Sequence, residues 1–229
     1  DDDCIPDPDW LTAGQRAFEC DIKAATGKTV VPVPEPPTDY QRNTAHLATA
    51  QFVTANCFCR RSVLERIGGF DERFTMAWRE DSDLHFHLME EGVKIERLQD
   101  AVVVHPVRPA PWGVSLKEQK KSQFNALLYK KHPRLYRQHI QPGAPWHYYV
   151  MLMFLLTALA GLLGGRWPLA AFALSAWLTL TGNFALQRLR RNSRSAAHVW
   201  EMVATSLAIP PLSVFWRLYG AYKYRVWFW

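Results

Sequence analysis

Followed along the chain, polar and apolar positions divide it into two unlike stretches with a basic join between them. Up to about residue 110, short apolar runs alternate with charged ones at the spacing of a soluble α/β domain. "PDWLTAGQRAFE" reads as a short helix, with Asp9 as its cap and Gly14 weakening its middle. "KTVVPVPEPPTDY" is β-branched and then proline-rich, which predicts a strand running into a loop or sheet edge. "ATAQFVTANCFCRR" reads as a second strand. "SVLERIGGF" reads as a helix with Ser62 and Glu65 as a capping box and Gly68 as its stop. In "REDSDLHFHLMEEG" the chain turns helical from Asp81, with Leu84, His87, Leu88 and Glu91 at i, i+3 and i+4 spacing and Gly92 as terminator. "VKIERLQDAVVVHPVRP" then predicts a strand, a turn at Asp100 and a second strand ending at His105.

Beyond residue 147 the pattern changes scale. The chain is uncharged from Tyr148 to Gly165 and again from Trp167 to Leu186. Each stretch approaches the roughly 20 helical residues that cross a hydrocarbon core of about 30 Å. Trp146, Tyr148 and Tyr149 supply an aromatic belt at the start, and "GGRWP" makes a tight hairpin. Two spans are expected, near 148–165 and 167–186. The last segment, near 199–225, contains Glu201 and the Pro210–Pro211 pair. Those interruptions predict a helix lying in the membrane interface, with a third span as the alternative.

The charge pattern gives these spans an orientation. Lys117, Lys120, Lys121, Lys130, Lys131, Arg134 and Arg137 precede the hairpin, and Arg188, Arg190, Arg191 and Arg194 follow it. Only Arg166 lies between the spans. Positive flanks stay cytoplasmic, so the reading is a multi-pass plasma (inner) membrane protein with its soluble part in the cytoplasm. The net charge of +6 is concentrated in these flanks, and no nucleic-acid-binding signature accompanies it, so membrane lipids rather than nucleic acid are the expected partner. The resulting layout is 1–110 soluble, 111–146 a basic amphipathic connection and 147–229 the membrane region. Of the four cysteines, Cys57 and Cys59 share one face of an apolar strand and read as buried structural thiols in a reducing compartment. No second Cys pair completes a zinc motif, and His85 and His87 face apart on their helix.

The carboxylates carry the chemistry. Asp1 and Asp3 in "DDDCIPDPDWL" are hard oxygen ligands suited to Mg²⁺ or Mn²⁺ that also holds a diphosphate, with His105 available as a third ligand. Glu80, Asp81 and Asp83 crowd the first turn of a helix, where the helix dipole favours ionised carboxylates. Asp81 could serve there as a general base toward a hydroxyl, and ordinary acidic capping is the plainer alternative. These parts suit either sugar transfer from a nucleotide sugar or metal-dependent phosphoester cleavage.

The order "DDDCIPDPDWL", "TANCFCRRSVLERIGGFDERF", "REDSDLHFHLMEEG", "AVVVHPVR" resembles the second half of a membrane-bound family-2 glycosyltransferase with a GT-A fold. The resemblance covers residues 1–107. It implies an α/β fold: the C-terminal, acceptor-side part of a GT-A nucleotide-diphospho-sugar transferase domain, followed by a transmembrane hairpin and an interfacial C-terminal helix. It implies that Asp1 contacts the donor or metal, that Asp3 ligates the metal with His105, and that Asn56 lies in the donor loop. That loop often contains Gly where this chain has Thr54 and Ala55. Asp81 would be the base, with Glu80 and Trp78 lining the acceptor side. The implied reaction is an inverting, hexosyltransferase-like transfer from a nucleotide-sugar donor to a glycan or lipid-linked acceptor. Processive relatives carry Gln-x-x-Arg-Trp after the ED pair. "SLKEQKKSQFNALLYKK" has Gln119 and Gln123 without an Arg-Trp partner, so transfer of a single sugar is expected. Because the resemblance begins midway through such a domain, the 229 residues alone are expected to lack turnover. A non-catalytic membrane scaffold and a phosphoesterase remain the competing readings.

Overall fold

A mixed four-stranded sheet organises the soluble part of the chain. The computed structural model describes residues 3–228, so Asp1 lies outside the described residues. The chain divides into two units, Asp1–Glu35 with Gln41–Pro109, and Pro36–Tyr40 with Ala110–Trp229. In chain order the first unit contributes β1 (Ile5–Pro6), α1 (Trp10–Glu19) and β2 (Ala24–Val30). α2 (Asp39–Ala45) follows across the boundary, then β3 (Cys57–Cys59), α3 (Arg61–Ile67), α4 (Glu80–Glu90) and β4 (Ile95–Val104). The sheet order is β1-β4-β2-β3. β4 runs antiparallel to β1 and parallel to β2, and β3 runs antiparallel to β2. The parallel β2–β4 pair needs a crossover, and β3, α3 and α4 supply it.

Several local expectations are corrected here. β2 begins at Ala24, ahead of the β-branched run, because Ala24 and Ala25 are fully buried in the sheet. The second strand shrinks to Cys57–Cys59, preceded by a 3₁₀ turn at Thr54–Asn56. β4 is continuous through Asp100. The expected turn survives as a bulge: between Thr26↔Arg97 and Lys28↔Val102, β4 carries more residues than β2. Gly27 faces this bulge, where a Cβ would overlap the Ala101 carbonyl and the Asn56 amide. Asp9 and Ser62 make no side-chain cap. α3 instead starts after an extended Arg60, whose carbonyl accepts from the Val63 and Leu64 N–H groups. Gly68 does end α3, in the left-handed region at φ 80°. Gly14 does more than weaken α1, since a Cβ there would run into the Phe58 ring.

Ala24, Phe52, Val63, Leu84, Leu88 and Val93 form the core of this unit, with Cys57, Cys59 and Ile95 packed against it. The amphipathic faces of α3 and α4 thus cover the sheet, and the two thiols sit where the alternating strand placed them. Cys57 Sγ donates to the Thr54 carbonyl at 3.8 Å. The neighbouring Cys59 thiol, burial and the nearby Asp81 carboxylate all push the Cys57 thiol up, so it stays protonated.

The second unit holds α5 (Val114–Glu118), α6 (Phe124–Lys131), α7 (Pro133–His139), α8 (Trp146–Leu163), α9 (Trp167–Leu189) and α10 (Ala196–Tyr224). The last three are long and apolar enough to cross a membrane. α8 and α9 make the expected hairpin, and Gly161 lets them close onto Ala170. α10 is one 29-residue helix running through Pro210 and Pro211, about 43 Å long at 1.5 Å per residue. Each proline removes one ladder bond, yet Ile209, Pro210 and Val214 are buried and keep the helix packed. Glu201 does not interrupt it either, because its Oε1 accepts the Gly113 N–H at 2.8 Å. Arg188, near the end of α9, donates to Asp39 Oδ2 at 2.7 Å, Thr205 Oγ1 at 2.7 Å, Ser206 Oγ at 3.1 Å and Ser115 Oγ at 3.3 Å. A charged group this enclosed persists only when paired and hydrogen-bonded, and Arg188 is both.

Candidate active site

The 3₁₀ turn before β3 and the first turn of α4 meet at one carboxylate. Thr54 donates its backbone N–H to Asp81 Oδ2 at 3.2 Å and its hydroxyl to Asp81 Oδ1 at 3.0 Å. One residue therefore holds both oxygens of Asp81. α4 starts at Glu80 because Arg79, in the left-handed region at φ 78°, turns the chain sharply into the helix. A non-glycine residue held there stores backbone strain, and such strain collects at functional sites. Beside Asp81, Glu80 is drawn above the ordinary carboxylate range, first by burial and then by repulsion from Asp81. Its Oε2 is buried with no hydrogen-bond partner among the described residues. Trp78 is partly exposed just ahead of the pair, with the Arg79 guanidinium 4.6 Å from its ring centroid.

Asn56, expected in a donor loop, is fully buried and its amide is committed to the scaffold. Oδ1 accepts from Trp10 Nε1 at 2.9 Å, and Nδ2 donates to the carbonyls of Lys28 at 3.1 Å and Ala101 at 3.0 Å. The side chain ties α1, β2 and β4 together across the bulge. Gly27 leaves the room this requires.

A second cluster forms where β1 meets β4. The register Ile5↔Val104 brings the residues just before β1 alongside those just after β4. Asp3, Cys4 and His105 there present ligand atoms that all lie within 4.8 Å of one another. Asp3 Oδ2 pairs with Arg108 Nε at 2.6 Å. Burial pushes the Asp3 carboxyl up, but the Arg108 hydrogen bond and charge outweigh it and hold it below its ordinary value. His105 Nδ1 lies 3.2 Å from the Pro106 carbonyl, which can only accept, so this bond places the proton on Nδ1. A carboxylate, an imidazole and a thiol in one cluster are a donor set for a divalent transition ion, whereas Mg²⁺ prefers all-oxygen shells. Of the sequence-derived ligands, Asp3 and His105 come together and Asp1 lies outside the described residues.

Sequence reasoning missed three participants. Cys4 was given no role. Thr54 was noted only for standing where Gly is common. Arg108 carried no signal, since its partner lies at the other end of the unit.

A family model described as glycosyl transferase family group 2 matches residues 39–218. The chain belongs to this glycosyltransferase family. Within the matched span the glycosyltransferase carries Thr54, Trp78, Glu80, Asp81 and His105, together with α8, α9 and most of α10. Asp3 and Cys4 precede it. No curated protein matches the glycosyltransferase chain.

Proposed function

We propose that this glycosyltransferase moves a single sugar, with inversion, from a nucleotide-sugar donor to a hydroxyl of a glycan or lipid-linked acceptor at the cytoplasmic face of the plasma (inner) membrane. The observation that carries the reading is the doubly held Asp81. A general base must present an oxygen in a fixed direction, and Thr54 sets that direction through both oxygens. In the reaction the acceptor hydroxyl gives its proton to Asp81. The freed oxygen attacks the anomeric carbon from the side opposite the departing nucleoside diphosphate, which inverts the centre. The partly exposed Trp78 offers an apolar face against which a sugar ring can stack, and Glu80, kept protonated longer than usual, can donate a hydrogen bond to it. Asp3 and His105, with Cys4, would hold a divalent ion. The chemistry such an ion supplies is neutralisation of charge on the leaving diphosphate.

The membrane assignment rests on α8, α9 and α10 and on the basic flanks, with only Arg166 in the α8–α9 connection. Transfer at the cytoplasmic face gives the enzyme access to soluble nucleotide sugars and to acceptors held in the bilayer.

The test uses the full-length protein encoded by the gene, held in nanodiscs and offered a panel of nucleotide sugars with membrane-lipid acceptors. Nucleoside diphosphate release is measured alongside product formation. Asp81→Asn keeps shape and hydrogen-bonding capacity but removes the base, so acceptor-dependent turnover falls by at least about a hundredfold. Unchanged turnover in Asp81→Asn removes the base from the proposal. Cleavage of simple phosphoesters without any sugar acceptor replaces it with a hydrolase.

A further inference from the structure

We propose that Cys4 is a ligand of the divalent ion, so that the site selects a thiophilic ion of the Zn²⁺ and Co²⁺ class over Mg²⁺. This rests on the reading of the Asp3–His105 cluster as the metal site of the transferase.

The geometry begins with the backbone. Adjacent residues in a regular strand point to opposite faces, so Asp3 and Cys4 could not share a ligand within one. Both precede β1, Asp3 in a turn, and are released from that alternation. The antiparallel register Ile5↔Val104 then sets Cys4 alongside His105. Carboxylate, thiol and imidazole ligand atoms lie within 4.8 Å of one another, and all three residues are half-buried. Arg108 Nε binds Asp3 Oδ2 at 2.6 Å and orients the carboxylate. His105 is oriented in the same way. Its Nδ1 lies 3.2 Å from the Pro106 carbonyl, and an outer hydrogen bond of this kind accompanies most ligating imidazoles.

The donor set decides the ion. Mg²⁺ and Ca²⁺ favour oxygen shells, and a thiol gives them little. Zn²⁺ and Co²⁺ accept sulfur, imidazole nitrogen and carboxylate oxygen together.

The probe is Co²⁺ alone, titrated anaerobically into the full-length protein in nanodiscs without nucleotide sugar. Thiolate bound to Co²⁺ gives a sulfur-to-metal charge-transfer absorption in the near ultraviolet, which oxygen and nitrogen ligands do not. The wild-type protein is expected to show this band. Cys4→Ser loses it, while Cys57→Ser/Cys59→Ser keeps it. Zn²⁺ displaces the Co²⁺, and a roughly thousandfold excess of Mg²⁺ does not. No band in the wild type, or a band that survives Cys4→Ser, overturns the proposal. The outcome is independent of turnover. A Cys4-dependent band in a protein that transfers no sugar sustains the metal site and sinks the transferase reading. Mg²⁺-supported transfer without any band does the reverse.

Discussion

Replacing Asn56 with alanine tests the claim that one buried amide holds the sheet together across the β4 bulge. The side chain makes three hydrogen bonds, to Trp10 Nε1 and to the carbonyls of Lys28 and Ala101, at a position with no exposed surface. A net contribution of about 1 kcal/mol per bond gives roughly 3 kcal/mol, and more where a buried partner is left without a replacement. Because those partners lie on α1, β2 and β4, the loss falls on the β2–β4 pairing. Hydrogen exchange of the Ala24–Val30 peptide, read by mass spectrometry, isolates it from the membrane helices. A loss of about 3 kcal/mol speeds exchange there roughly a hundredfold. Asn56→Asp is expected to cost at least as much. It can still accept from Trp10 but turns a negative charge on two carbonyls. Acceleration of less than about fivefold in Asn56→Ala, equivalent to about 1 kcal/mol, would refute the reasoning and make the amide a bystander.

Two further outcomes follow from the base and its neighbour. Thr54→Val removes the hydroxyl bond to Asp81 at nearly constant volume. It should lower kcat about tenfold with donor KM unchanged, and Thr54→Ser should restore it. A matching fall in both variants, or a KM effect alone, removes Thr54 from positioning. Glu80 has a folded-state pKa above its ordinary 4.5, so the native state binds the proton more tightly than the unfolded chain. Its contribution is therefore full below that ordinary value and is lost as pH rises through the folded value. Glu80→Gln should flatten this loss: thermal melts are expected to match wild type near pH 4 and to rise above it near pH 8. An identical pH dependence in the two proteins would mean Glu80 is not strained.

What the sequence revealed of this fold depends on how local each signal was. α4 was legible because its apolar spacing, acidic first turn and terminating Gly92 all lie within a dozen residues. The membrane hairpin was legible for the same reason. β2 was misplaced because Ala24 and Ala25 carry no strand preference and are buried only by their neighbours on β3 and β4. The continuity of α10 was not legible because Glu201 and the two prolines are costly in isolation, and the contacts that offset the cost come from elsewhere in its unit. The Asp81 position was visible in a motif, but its restraint by Thr54 was not, since the two are 27 residues apart. Cys4 was harder still. Its place beside His105 depends on a strand register that joins the two ends of the first unit.

The four-way grip of Arg188 also limits how this protein can respond to its surroundings. Helices in a bilayer commonly answer a change of thickness by sliding or tilting past one another. Here α9 is bolted to Thr205 and Ser206 of α10, to Asp39 at the start of α2 and to Ser115 of α5. A slip of one helical turn, about 5.4 Å, would strand a guanidinium away from every one of these partners. The two helices must therefore move as one piece. In a thinner or thicker membrane the pair can answer only as a unit, by tilting together or by letting the lipid deform around it.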